Sequence, residues 1–88
     1  MYVITCKMRI NAQSKDEKDF YLMVNQLEGG VRWGTLNGIG ELLVFPNVNE
    51  AMNTWNTYRE YLVERHIAIN RNSIHLKKVR FTDYAQLS

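Results

Sequence analysis

The sequence has one cysteine, one proline and no long apolar run. A lone Cys6 excludes an internal disulfide and a cysteine-built metal knuckle, and favours a reducing, cytosolic compartment. Without a long apolar stretch, and without a basic amino-terminal region leading into an apolar block and a small-residue cleavage site, neither membrane insertion nor export is expected. A net charge of +2 is too small to demand a polyanionic partner, so any such argument rests on where the charges lie. What is present is ample core material. The 45% hydrophobic share, with two Trp, five Tyr and three Phe, can fill a compact interior, and 88 residues make one domain, 1–88. No internal repeat, low-complexity block or linker divides it.

Tyr2 to Ile10 alternates, with Ile4, Cys6, Met8 and Ile10 on one side and Val3, Thr5, Lys7 and Arg9 on the other, as in a half-buried strand. Ser14 and Glu17 have capping-box spacing, Asp16 and Asp19 suit a helix dipole, and Phe20, Met23, Val24 and Leu27 recur at helical intervals. A first helix is expected there, stopped by Gly29-Gly30. Asn37-Gly38 reads as a type I′ turn, which needs positive φ at both positions. It sets a hairpin in which Trp33 faces Leu42 and Val31 faces Val44. Val31, Trp33, Leu42 and Val44 then share the core face, and Arg32, Glu41, Leu43 and Phe45 the other. Pro46 closes the second strand, and Asn47 or Asn49 caps a longer helix that buries Val48, Ala51, Met52, Trp55, Tyr58 and Leu62 and ends near Arg65 or His66. Asn70 to Ser73 has turn composition, and Ile74 to Phe81 forms the last strand. Ile74 and Leu76 differ in parity from Val79 and Phe81, which a bulge near Lys77-Lys78 reconciles.

The order β-α-β-β-α-β predicts an α+β class of ferredoxin-like type: a four-stranded antiparallel sheet, first and third strands central, with two helices on one face. The open face then collects Lys7 and Arg9, Arg32, and His75, Lys77 and Arg80, with Leu43 and Phe45 among them. Cations beside an aromatic residue are the mixture used to hold single-stranded nucleic acid. The end of the chain strengthens it: from Arg59 to Arg80 there are six Lys or Arg against Glu60 and Glu64 alone. The expected site is Lys7, Arg9, Arg32, Lys77, Lys78 and Arg80 neutralising phosphates or carboxylates, with Phe45 stacking. The expected function is a small non-catalytic protein that holds RNA or another anionic surface while inhibiting a partner enzyme.

The run Leu43-Val44-Phe45-Pro46-Asn47-Val48-Asn49-Glu50-Ala51-Met52 resembles the third strand and second helix of the RNA recognition motif family. That family's aromatic third-strand positions fall on Gly40 and Leu42, so no RNA-contacting residue is carried over. Gly30-Val31-Arg32-Trp33 with Glu41 resembles the second and third strands of acylphosphatases, but Trp33 stands where that family places an Asn, and Asn11 to Lys15 replaces its phosphate loop. The passage around Trp55 is similar to small dimeric α+β-barrel proteins, some of them small-molecule enzymes. His66 and His75 have neither metal-ligand spacing nor a nucleophilic partner, and Cys6 points into the core, so no catalytic residue, metal or cofactor is expected. A protein-directed alternative rests on a free edge at Val31 to Leu36 and on Trp33, Trp55, Tyr58 and Tyr61, of which Tyr61 is expected at the surface. The same edge, or the open face, would also accept a second copy. Small size and nine Asn residues give this alternative the character of a phage accessory protein that blocks a host defence factor or toxin.

Overall fold

A computed structural model describes residues 1–11, 13, 15–25, 27–36, 41–64 and 68–80. Its elements are strands β1 (Tyr2–Arg9), β2 (Glu17–Val24), β3 (Val31–Gly34) and β4 (Glu41–Leu42), helix α1 (Val48–Arg59) with a wider π-helical turn at Glu60–Glu64, and strand β5 (Ile69–Lys78). The five strands form one antiparallel sheet ordered β3-β2-β1-β5, with β4 joined to β2. Among the described residues there is one helix, so the two-helix ferredoxin-like arrangement does not form. The central strands are β1 and β2, not the first and third of a split βαβ order.

The expected first helix is strand β2, and the reason is its burial. Tyr21, Leu22 and Met23 are consecutive and 7%, 0% and 2% exposed, whereas an amphipathic helix buries one stripe. Phe20 to Val24 is an unbroken apolar run, as in strands covered on both faces. Leu27, which completed the helical pattern, is 98% exposed. Ser14 of the capping box lies outside the described residues, and Glu17 begins the ladder opposite Arg9. Gly29 and Gly30 do not stop a helix but turn β2 into β3, with φ of 79° and 76°. Asn25 closes that turn: its N–H donates to the Gly30 carbonyl at 3.0 Å and its side chain accepts from the Glu28 N–H at 3.1 Å.

The hairpin expected between β3 and β4 is also replaced. Met23 pairs with both Arg32 and Leu42, and Val24 with both Val31 and Glu41, so β3 and β4 lie on opposite edges of β2. Asn37 and Gly38 lie outside the described residues. Beyond β4, Phe45 exchanges two backbone hydrogen bonds of 2.8 Å with Tyr2, which wedges this segment between the start of β1 and the end of β2. Pairing with β2 instead of β3 inverts the expected faces. Val31 and Trp33 remain on the helix side, but Phe45 and Leu43 join them there, while Leu42 and Val44 move to the opposite face.

The sheet therefore has apolar packing on both sides. On one, Ile4, Cys6, Met8, Leu22, Val31, Trp33, Phe45 and Ile69 pack with Ala51 and Leu62 of the helical segment. On the other, Val3, Tyr21, Met23 and Val79 are covered by Leu36, Leu42 and Val44. Helix α1 forms as expected, capped by Asn47, whose backbone is extended and whose side-chain oxygen accepts the Glu50 N–H at 2.9 Å. Ala51 and Leu62 are fully buried, whereas Val48 and Met52, expected inside, are each 44% exposed. The Trp33 indole N–H donates to the Leu62 carbonyl at 3.0 Å, and its ring meets Trp55 at a centroid distance of 6.2 Å, which fastens the helical segment to β3.

Strand β5 begins at Ile69, earlier than expected, and the bulge lies elsewhere. Lys7 pairs with Asn70 but Thr5 pairs with His75, so the extra residues fall in Arg71 to Ile74 opposite Cys6. Ser73 ties this bulge down, since its hydroxyl donates to the Asn70 carbonyl at 2.6 Å and accepts from the Lys7 N–H at 2.7 Å. The change of parity at Val79 needs no bulge at Lys77-Lys78. Leu76 faces the helix-side core and Val79 the second core.

Candidate functional site

Strand β1 directs Lys7 and Arg9 to the side away from the helix, as its alternation predicted, and both are exposed. Their surroundings differ from a basic platform. The β1–β2 register sets Lys7 directly opposite Asp19 and Arg9 opposite Glu17, so each cation shares its position on the ladder with a carboxylate. This arrangement exists only because the acidic segment Asp16 to Asp19 contributes to a strand and not to the first turn of a helix. Arg32 lies half-buried on the same face beside Met23, with its guanidinium crowded against Gly34. The apolar cluster of Val3, Tyr21, Met23 and Val79 occupies the rest of that face near the same end.

Phe45 is not available to stack. It is 5% exposed within the helix-side core, because the β4 segment presents the parity opposite to that of the expected hairpin. Lys77 stands opposite Val3 and points away from the helix, while Lys78 stands opposite Tyr2 with the other parity. Lys77, Lys78 and Arg80 are exposed, as are Arg71 and His75. The nominated residues thus separate into two groups. Lys7, Arg9 and Arg32 lie toward β2 and β3, two of them opposite carboxylates; Lys77, Lys78 and Arg80 belong to β5 and its continuation. From Ile69 to Arg80 there are four Lys or Arg and no carboxylate.

β5 is also an edge strand among the described residues. The Val79 N–H donates to the Met1 carbonyl at 2.8 Å, and Tyr2 spends both its backbone groups on Phe45. Antiparallel pairs alternate between hydrogen-bonded and non-hydrogen-bonded. Lys77 and His75 therefore bond to β1, and the backbone N–H and C=O groups of Leu76 and Lys78 point outward along the free edge. Beside that edge is a groove of about 230 Å³ lined by Ile4, Met52, Trp55, Ile74, His75 and Leu76. Sequence reasoning named the β5 cations but missed the groove, which forms where Met52 and Trp55 of α1 meet Ile74 and Leu76 of β5. The exposed Met52 at a nominally buried helical position is its mark.

Cys6 is buried, and burial together with the neighbouring Asp19 carboxylate pushes its thiol up to about 12, so it stays protonated and unreactive at neutral pH. His75 Nδ1 donates to the Ser73 carbonyl at 2.8 Å, which anchors the ring to the bulge. Among the described residues no three His, Cys, Asp or Glu side chains are grouped to hold a metal ion, and no helix is long and apolar enough to cross a membrane. Tyr61 is 40% exposed, as the sequence predicted, whereas Trp33 is 7% exposed and belongs to the core. Comparison with protein-family models, with curated proteins and with solved structures returned no match.

Proposed function

We propose that this chain is a small non-catalytic binding protein that holds an anionic macromolecule along its final strand. The observation that supports this reading is the one-sided charge of β5 and its continuation: Arg71, Lys77, Lys78 and Arg80 are exposed along a strand that is at the sheet edge among the described residues, and Ile69 to Arg80 contains no carboxylate. Lys7 and Arg9 carry less of the role, since a ligand there must displace or repel Asp19 and Glu17. Electrostatic attraction of this kind accelerates encounter and weakens with salt, because partly exposed charges are screened.

The test is binding of the folded protein to two polyanions, a mixed-sequence single-stranded RNA and polyglutamate, across a salt series. At least one should bind at low salt, lose affinity steeply as salt rises, and fail to bind the triple variant Arg71→Glu, Lys77→Glu, Lys78→Glu. Lys7→Glu with Arg9→Glu should have the smaller effect. Absence of binding to both polyanions at low salt would overturn the proposal.

A further inference from the structure

We infer that the outer edge of β5 accepts an extended segment of a partner protein as an added strand, and that this segment alternates apolar with acidic residues. The inference rests on the anion-binding reading and names its partner class. Three observations converge on it. The Leu76 and Lys78 backbone groups point outward, so a ladder can be extended without breaking an existing hydrogen bond of β1. On the helix side of that edge, Ile74 and Leu76 line the groove with Met52 and Trp55, an apolar floor for every second side chain of an added strand. On the other side, Lys77 stands beside the intervening side chains, where carboxylates are favoured.

Charge decides between this occupant and a second copy of the chain. From Ile69 to Arg80 each copy carries four Lys or Arg and no carboxylate, so pairing β5 with its own copy gathers cations along one ladder with nothing to offset them. RNA is disfavoured for a different reason. The nominated stacking residue, Phe45, is buried, and the groove at the edge is apolar and lies beneath backbone donors and acceptors spaced for a strand.

The experiment uses a synthetic peptide of about ten residues alternating valine and glutamate, the length of β5. Its controls are the valine–lysine counterpart, a form with proline at alternate positions, and the single-stranded RNA. Two variants of the protein separate charge from backbone pairing: Lys78→Gln removes the cation alone, and Lys78→Pro removes the cation and the outward N–H. Both are checked for native circular dichroism. The valine–glutamate peptide should bind and slow hydrogen exchange at the Leu76 and Lys78 amides of the wild-type protein. Its affinity should be about tenfold weaker for Lys78→Pro than for Lys78→Gln, as expected for loss of a ladder hydrogen bond. Equal affinity for the two variants, or equal binding of the proline-interrupted peptide, overturns strand addition. Binding of RNA or polyglutamate with no binding of the peptide overturns the inference and leaves the anion-binding reading standing; binding of none of the three removes both.

Discussion

Replacing Trp33 with Phe tests how helix α1 and its π-helical turn are held to the sheet. The indole N–H is the buried donor to the Leu62 carbonyl at 3.0 Å, and Trp33 is 7% exposed. Phenylalanine keeps most of the apolar surface but removes the donor, so a buried carbonyl loses its side-chain partner at the point where the helix has widened to π-helical spacing. Leaving such a group unsatisfied costs about 1–3 kcal/mol. Loss of the larger ring's contact with Trp55, at 6.2 Å between centroids, adds about 0.5–1.5 kcal/mol. The sum is about 1.5–4.5 kcal/mol, which in a domain of this size lowers the melting temperature by on the order of 6–36 °C. Urea unfolding monitored by far-ultraviolet circular dichroism gives the free energy. Trp55→Phe is the control, because it weakens the ring contact and leaves the hydrogen bond in place. If Trp33→Phe costs under about 1 kcal/mol, or no more than Trp55→Phe, the indole is not the fastening between β3 and the helical segment.

Cys6 gives a prediction in alkali. Its folded-state value of about 12 lies above the 9.0 of an exposed thiol, so above pH 9 the unfolded chain loses a proton that the folded chain keeps. Stability therefore falls as pH rises from about 9 to about 12, by about 1.4 kcal/mol per unit at most, and Cys6→Ala should flatten that fall in urea melts; a constant gap between the two proteins across this window would contradict it. Asn47→Ala should cost about 1 kcal/mol by leaving the Glu50 N–H uncapped, measured as a lower urea midpoint with unchanged slope. Gly30→Ala should cost more than Gly29→Ala although both have positive φ, because a Cβ at Gly30 meets the Tyr58 ring at 3.2 Å and one at Gly29 meets nothing within 4 Å; each strain term is about 1–2 kcal/mol. Equal melting temperatures for these two variants would show that Tyr58 gives way without cost.

The parts of this structure that were legible in the sequence are those whose pattern is local and unambiguous. The alternation of Ile4, Cys6 and Met8 against Val3, Thr5 and Lys7 defines β1, and the Asn47 cap with Ala51, Trp55, Tyr58 and Leu62 defines α1. Asn70 to Ser73, read as a turn, overlaps the bulge of β5 at Arg71 to Ile74, because residues that favour turns also accommodate extra backbone in a ladder. The segment from Glu17 to Val24 was misread since Phe20, Met23 and Val24 satisfy helical spacing, while the contiguous run from Phe20 to Val24 has no period of its own. Only the presence of β1 on one edge and β3 and β4 on parts of both resolves it. Once β2 is a strand, the fate of the candidate site follows: Asp19 and Glu17 come opposite Lys7 and Arg9, β4 pairs with β2, and Phe45 turns inward. Charge on β5 survived this rearrangement because it depends on composition, and composition is indifferent to register.

The ladder between β1 and β5 joins Tyr2 to Lys78, so the first of the described strands pairs with the last of them in chain order. During synthesis β1 can pair with β2, but its other edge stays open until β5 has been translated. The entropy of closing so long a loop is met before any of that pairing is gained, and sheets dominated by such contacts reach the native state slowly. One edge of β1 thus stays unpaired until β5 is made, and the yield in the cell depends on how well that interval is protected from aggregation.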